Sequence, residues 1–134
     1  RRLLGQHAVQ GGSGDGQPPF QIDRCHALRA DEPQSVGGLG SAPGPYDLLL
    51  AALGACTALT VTMVAQRRKI PLDDLKVTID FTEADGVYRL TRTLEYIGAL
   101  SEEQKTYLTG IANKCPIHKA LSGRFEISTV TAVA

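Results

Sequence analysis

From Leu75 to Thr82 apolar and polar residues alternate without a break, Leu75, Val77, Ile79 and Phe81 against Lys76, Thr78, Asp80 and Thr82. That is the period of a strand with one face buried. Ala84, Asp85 and Gly86 interrupt it with turn residues, and Tyr88, Leu90, Leu94 and Tyr96 then share one face of a returning strand, so the pattern predicts a hairpin. Upstream the pattern changes to an almost unbroken apolar run from Pro45 to about Arg67 or Arg68, which predicts one long helix. Pro45 suits its first turn, Asp47 lies near its positive end, Arg67, Arg68 and Lys69 suit its last turn, and Pro71 stops it. Ser101 and Gln104 form a capping-box pattern that opens a second helix. Its inner face carries Tyr107, Leu108, Ile111 and Ala112, and it ends near Lys114. Pro116 to Leu121 reads as a short helix closed by Gly123, and Phe125 to Val133 predicts a final strand.

The N-terminal part is less regular. Residues 1–18 are polar and glycine-rich, with a short edge strand expected near His7 to Val9 and partial mobility elsewhere. Phe20 to Leu28 predicts a strand, and Asp31 to Pro45 a loop dense in Gly and Pro whose length suggests function. The order strand, long helix, hairpin, helix, strand predicts an α+β domain with an antiparallel sheet rather than a doubly wound one. At 134 residues the chain is expected to form a single domain over 1–134.

Charge and composition narrow the partners. Lys plus Arg and Asp plus Glu each number 14, and no run of like charge is of the kind that would attract nucleic acid or an anionic membrane surface. The stretch from Leu48 to Ala65 has no charged residue and raises the question of a membrane span, but it is rich in Ala, Gly and Thr and lacks flanking aromatic belts. A soluble helix buried on nearly every side fits better, and one chain of this size can hardly wrap such a helix, so a homodimer is expected. Three widely spaced cysteines, Cys25, Cys56 and Cys115, are too few for a disulfide scaffold and, with no signal peptide apparent, favour a reducing, cytoplasmic setting.

Two of those thiols stand where they can do chemistry. Cys115 directly precedes Pro116 and so caps a predicted helix start, with Lys114 before it and His118 three residues on. An ordinary thiol is only about 3% thiolate at neutral pH, so nucleophilic work requires a depressed pKa, and Cys115 has the clearer local reason for one. Cys56 lies mid-helix among Gly54, Ala55, Thr57 and Ala58 and needs a cation from elsewhere in the fold; its plain reading is a small core residue. Cys115 with His118, and Cys25 with His26, also admit a metal-binding reading, although the proline between ligands and the missing second spaced pair are unlike a zinc site.

The segments PYDLLLAALGACTALT and IANKCPIHKAL, with HALRADEP, the Gly-rich loop after it and the final strand, resemble the OsmC and organic hydroperoxide resistance family over roughly residues 20 to 134. The resemblance implies a thiol-dependent peroxidase without a cofactor, built as an intertwined homodimer. The long central helix would bear Cys56 and the second helix would end at Cys115. It implies Cys56 as the peroxidatic thiol, Cys115 as the resolving thiol, a disulfide between them, an organic hydroperoxide as substrate and an external thiol or dithiol as reductant. Tyr46, Leu53, Leu59 and Met63 are the apolar neighbours expected to bind substrate. Where the resistance branch carries an activating glutamate, this chain has Tyr46 with Asp47 beside it, and where that branch has an arginine in a GGR segment, the comparable GGSGDG has Ser13. Asp47 is the candidate acid in place of the glutamate.

Arg92 is the candidate cation, because it falls on the same face of its strand as Tyr88, Leu90, Leu94 and Tyr96, where an unpaired charge is costly. The competing reading is that a twist or bulge turns Arg92 to solvent or to an acid. Arg24 and Arg29 are further candidates. Two other functions remain open on the residues: a noncatalytic binding protein of the same fold for a small apolar or thiol-reactive ligand, and a metal-binding structural domain.

Overall fold

The computed structural model describes residues 20–21 and 26–132. The chain forms two compact units, residues 1–51 and 52–134, joined within the long helix α1 (Pro45–Arg67). In the first unit β1 (Phe20–Gln21) and β2 (Ala27–Leu28) pair antiparallel, Phe20 opposite Leu28. The single strand expected over Phe20 to Leu28 is therefore a small hairpin, because a segment whose ends pair with each other is not one extended strand. The expected edge strand at His7 to Val9, the candidate Arg24 and Cys25 lie outside the described residues.

The Gly- and Pro-rich loop that follows is organised by one carboxylate. Asp31 is only 2% exposed, and its oxygens accept from the backbone N–H of Glu32 (2.8 Å), Leu39 (3.2 Å) and Ser41 (2.9 Å) and from the Ser41 hydroxyl (2.7 Å). The Ser41 hydroxyl, then its N–H, hold the carboxyl below its ordinary range. Burial opposes them, and the Glu32 and Leu39 N–H groups add to the lowering.

Helix α1 starts as its residues dictate, with Pro45 in the first turn and the Asp47 carboxylate accepting from the Gly44 N–H at 2.9 Å. It ends in a Schellman motif. The Ile70 N–H donates to the Ala65 carbonyl and the Lys69 N–H to the Gln66 carbonyl, with Lys69 in the left-handed region at φ 56°.

In the second unit β3 (Leu72–Ala84) and β4 (Val87–Gly98) form the expected hairpin, turning at Asp85 (φ 54°) and Gly86 (φ 77°). Positive φ at both turn residues is the geometry that matches the twist of the strands. Gly98 closes the ladder at φ 142°, where a Cβ would collide with the Pro71 carbonyl. The inner face pairs Leu75 with Tyr96, Val77 with Leu94, Ile79 with Arg92 and Phe81 with Leu90. Helix α2 (Glu102–Ala112) opens with the expected reciprocal cap, Gln104 N–H to the Ser101 hydroxyl (3.2 Å) and Ser101 N–H to the Gln104 side chain (2.9 Å). Helix α3 (Pro116–Leu121) follows, with Cys115 as its N-cap.

Val61 and Ala65 of α1 meet Leu108 and Ala112 of α2 at the centre of this unit, and Leu72, Leu75, Leu94 and Tyr96 of the hairpin pack against them. Within a single chain helix α1 is covered on one face, as the size of the chain leads one to expect: Leu53, Thr57, Val61 and Ala65, four apart, form one buried stripe, while Leu49, Leu59 and Met63 are exposed. One expectation is corrected here. The segment Phe125 to Val133 is not a strand over its described residues, and Phe125, Ile127 and Val130 are exposed. A strand exists only where a neighbour completes its ladder, and among the described residues none pairs with this segment. By length and mean hydropathy, 2.1, α1 would also suit a bilayer crossing.

Candidate active site

Four elements of the second unit bring the site together. Helix α1 supplies Cys56 and Thr57, β4 supplies Arg92, the end of α2 is followed by Asn113, and the start of α3 supplies Cys115 and His118. Cys115 is fully buried and Cys56 half-buried, and both are free thiols. The turn from α2 into α3 fixes Cys115: its N–H donates to the Ala112 carbonyl (3.2 Å), its carbonyl accepts from Lys119 (3.1 Å), and its sulfur accepts from the His118 N–H (3.3 Å). The Cys56 thiol is a near neighbour of the same sulfur. The Thr57 hydroxyl lies 4.0 Å from the Cys115 sulfur, and the Thr60 hydroxyl 4.0 Å from that of Cys56.

Arg92 points inward rather than to solvent or to an acid. Its β4 neighbours on that face are half-buried, and the bulge in the hairpin is remote, between Leu72 and Asp74. The guanidinium donates to the Thr57 hydroxyl (3.0 Å), to the Asn113 side-chain oxygen (2.8 Å) and to His118 Nδ1 (3.0 Å). A guanidinium has no lone pair to offer, so His118 Nδ1 must be the acceptor and the ring proton sits on Nε2. All three partners are neutral groups, and no carboxylate among the described residues pairs with Arg92.

This arrangement acts on Cys115. Burial is the largest single influence and pushes its thiol up. The His118 N–H, the Cys56 thiol, the Thr57 hydroxyl and the Arg92 charge, in that order, outweigh it, so the net direction is down.

Beside these groups lies a cavity of about 480 Å³ lined by Leu53, Leu90, Leu94 and Leu121 and by Arg92 and His118, among others. Of the residues expected to bind substrate, Leu53 lines it. Leu59 and Met63 are exposed on α1 and are not among its walls. Tyr46 is exposed and Asp47 is engaged at the start of α1, both in the first unit. Arg29 is exposed as well. Thr57 and Asn113 went unrecognised at the sequence level. The signal for Thr57 was its place in the four-residue stripe, where a hydroxyl can donate to the carbonyl one turn back, as it does to Leu53 at 2.7 Å. Among the described residues no three His, Cys, Asp or Glu side chains gather as a metal ligand set.

The family model for OsmC-like proteins matches residues 38–130, which includes every residue of this site. The chain belongs to the OsmC-like family. No curated protein sequence matches it. Among solved structures, an OsmC-like protein from Mycoplasma pneumoniae is 23% identical, with 76% of this chain and 77% of that one covered and a TM-score of 0.64. An organic hydroperoxide resistance protein OsmC from Legionella pneumophila, also described as a predicted redox protein, is 27% identical, with 74% and 76% covered and a TM-score of 0.58. An organic hydroperoxide resistance protein from Elizabethkingia anophelis is 23% identical, with 74% and 75% covered and a TM-score of 0.58. These similarities establish the α+β OsmC-like fold, with its antiparallel hairpin and its long helix carrying Cys56 near Cys115.

Proposed function

We propose that this OsmC-like protein is a thiol-dependent peroxidase that reduces organic hydroperoxides, with Cys56 as the thiol that is oxidised first and Cys115 as the thiol that resolves it into a disulfide. The observation that carries the reading is the meeting of two free cysteines, 59 positions apart in the chain, beside a guanidinium whose partners are all neutral. The half-buried Cys56 is the more accessible of the two to a peroxide, and Cys115 is buried. Oxidation of Cys56 to a sulfenic acid followed by condensation with Cys115 uses that difference. The similarity to the Legionella protein supports the same chemistry. An external thiol or dithiol restores the pair by exchange.

The apolar walls of the cavity, Leu53, Leu90, Leu94 and Leu121, favour an organic hydroperoxide over hydrogen peroxide. Turnover with dithiothreitol as reductant tests this: cumene hydroperoxide is expected to be reduced faster than hydrogen peroxide, and the reverse preference contradicts it. We also propose that the working form is a homodimer. The exposed Leu59 and Met63 of α1, with the exposed Phe125, Ile127 and Val130 of the same unit, are apolar surface a second copy would cover. Sedimentation equilibrium is expected to give twice the chain mass at micromolar concentration, and a monomer there contradicts it. The same cavity supports a second reading, binding of a small apolar ligand without turnover, which predicts that both thiols survive a hydroperoxide unchanged.

A further inference from the structure

We propose that the cavity beside Arg92 is a binding site for an amphipathic carboxylate, with the guanidinium taking the head group and the leucine walls taking the chain. This names a ligand class for the site that the peroxidase reading uses, but the head-group preference rests on the cavity and not on turnover.

Among the residues that line the cavity of about 480 Å³, Arg92 is the one permanent charge and none is acidic. Its partners Thr57, Asn113 and His118 accept from it without neutralising it. A half-buried guanidinium with only neutral partners gains most from an anion set against it. It also has donors to spare. A guanidinium carries five N–H groups, and among the described residues Arg92 commits three of them. His118 lines the same cavity, and because its Nδ1 accepts from Arg92, its Nε2 carries the ring proton and is a further donor. The Thr109 hydroxyl, also in the wall, is spent: it donates to the Lys105 carbonyl at 2.8 Å and accepts from the Tyr96 hydroxyl at 2.8 Å. The polar part of the wall therefore calls for an acceptor.

The rest of the wall is apolar, with Leu53, Leu90, Leu94 and Leu121, and the volume is in the range of small-molecule sites. A carboxylate on an alkyl chain matches both parts, since it is planar, accepts only, and carries one negative charge against one positive. A phosphate monoester fits less well, because its charge of about −1.5 to −2 exceeds that of one guanidinium and would stand against apolar walls. Neither Cys56 nor Cys115 is among the walls. The head group instead meets the thiols through Arg92 and Thr57, whose hydroxyl lies 4.0 Å from the Cys115 sulfur. Such a carboxylate has two sources: a hydroperoxide that carries one itself, or an unreactive fatty acid.

The test is calorimetric titration of reduced full-length protein at neutral pH with octanoate, octanol and octylammonium, which share a chain and differ in head group. Octanoate is expected to bind at least about tenfold more tightly than octanol, with octylammonium weakest. That gap is expected to close in Arg92→Gln and to survive in part in Arg92→Lys. Acetate, which has the head group and no long chain, is expected to bind at least about tenfold more weakly than octanoate. Equal affinity for octanoate and octanol in the wild type, or an octanoate preference unchanged in Arg92→Gln, overturns the proposal. The wild-type series decides the matter even where Arg92→Gln does not fold. Turnover of ω-hydroperoxyoctanoate against its methyl ester, with dithiothreitol as reductant, separates the two sources. Preference for the acid, abolished by added octanoate, assigns the site to the substrate's own carboxylate, and equal turnover of acid and ester assigns it to a separate fatty acid. Should neither be reduced while octanoate still binds through Arg92, the peroxidase reading fails and the carboxylate site stands.

Discussion

Two charged side chains in this protein are drawn away from bulk water, and they are used in opposite ways. Asp31, in the first unit, has each carboxylate oxygen occupied by its own loop, four donors from three residues within ten positions of it. Its charge is consumed locally and shapes a Gly- and Pro-rich segment that has little other means of holding one conformation. Arg92, in the second unit, is fixed just as firmly, by its own N–H groups donating to three acceptors 35, 21 and 26 positions away. None of those partners is an acid, so its charge is left to act on the neighbouring sulfur. A satisfied charge whose partners carry the opposite role in a loop is architecture. A fixed charge with only neutral partners, beside a titratable nucleophile, is the stronger mark of chemistry.

That contrast predicts two substitutions with separate consequences. Arg92→Met is expected to slow hydroperoxide-driven disulfide formation by about 10- to 100-fold, the scale of a hydrogen bond to a charged group. Its melting temperature is expected to change less than that of Asp31→Asn, and stopped-flow oxidation beside a thermal melt reads both. Asp31→Asn is expected to lower the melting temperature by several degrees and to leave the oxidation rate of the folded protein within about twofold. A variant pair that exchanged these effects would erase the distinction.

Smaller effects sharpen it. Thr57→Val removes one hydroxyl between Arg92 and Cys115 at nearly constant volume and is expected to slow oxidation by a few-fold, with Thr57→Ser restoring most of the rate. Asp31 also carries a pH signature. Its folded pKa lies below its ordinary value of 3.8, so its contribution to stability is complete above that value and fades as pH falls through the depressed one. Thermal melts from pH 6 to pH 2 are therefore expected to bring wild type and Asp31→Asn together only at the acid end.

Much of the second unit was legible in the sequence because its signals are local. Pro45 and Pro71 bracket α1, the alternation from Leu75 to Thr82 gives β3 its face, and Ser101 with Gln104 announces α2. Arg92 was legible in part: its parity with Leu90 and Leu94 put it on the inner face. The neutral acceptors that make that position tolerable come from other elements, and no local pattern reveals their convergence. Asp31 sat unmarked in a loop because its donors are mostly backbone N–H groups, which every residue but proline carries. The segment Phe125 to Val133 has the composition of a strand, yet a strand is a property of a pair, and its partner is not among the described residues.

The most direct measurement is peptide mapping by mass spectrometry after one equivalent of cumene hydroperoxide. It is expected to find a disulfide joining Cys56 to Cys115, absent from Cys56→Ser and markedly slower to appear in Arg92→Met. Recovery of both cysteines as free thiols, or of Cys56 overoxidised with Cys115 untouched, would contradict a redox pair at this site.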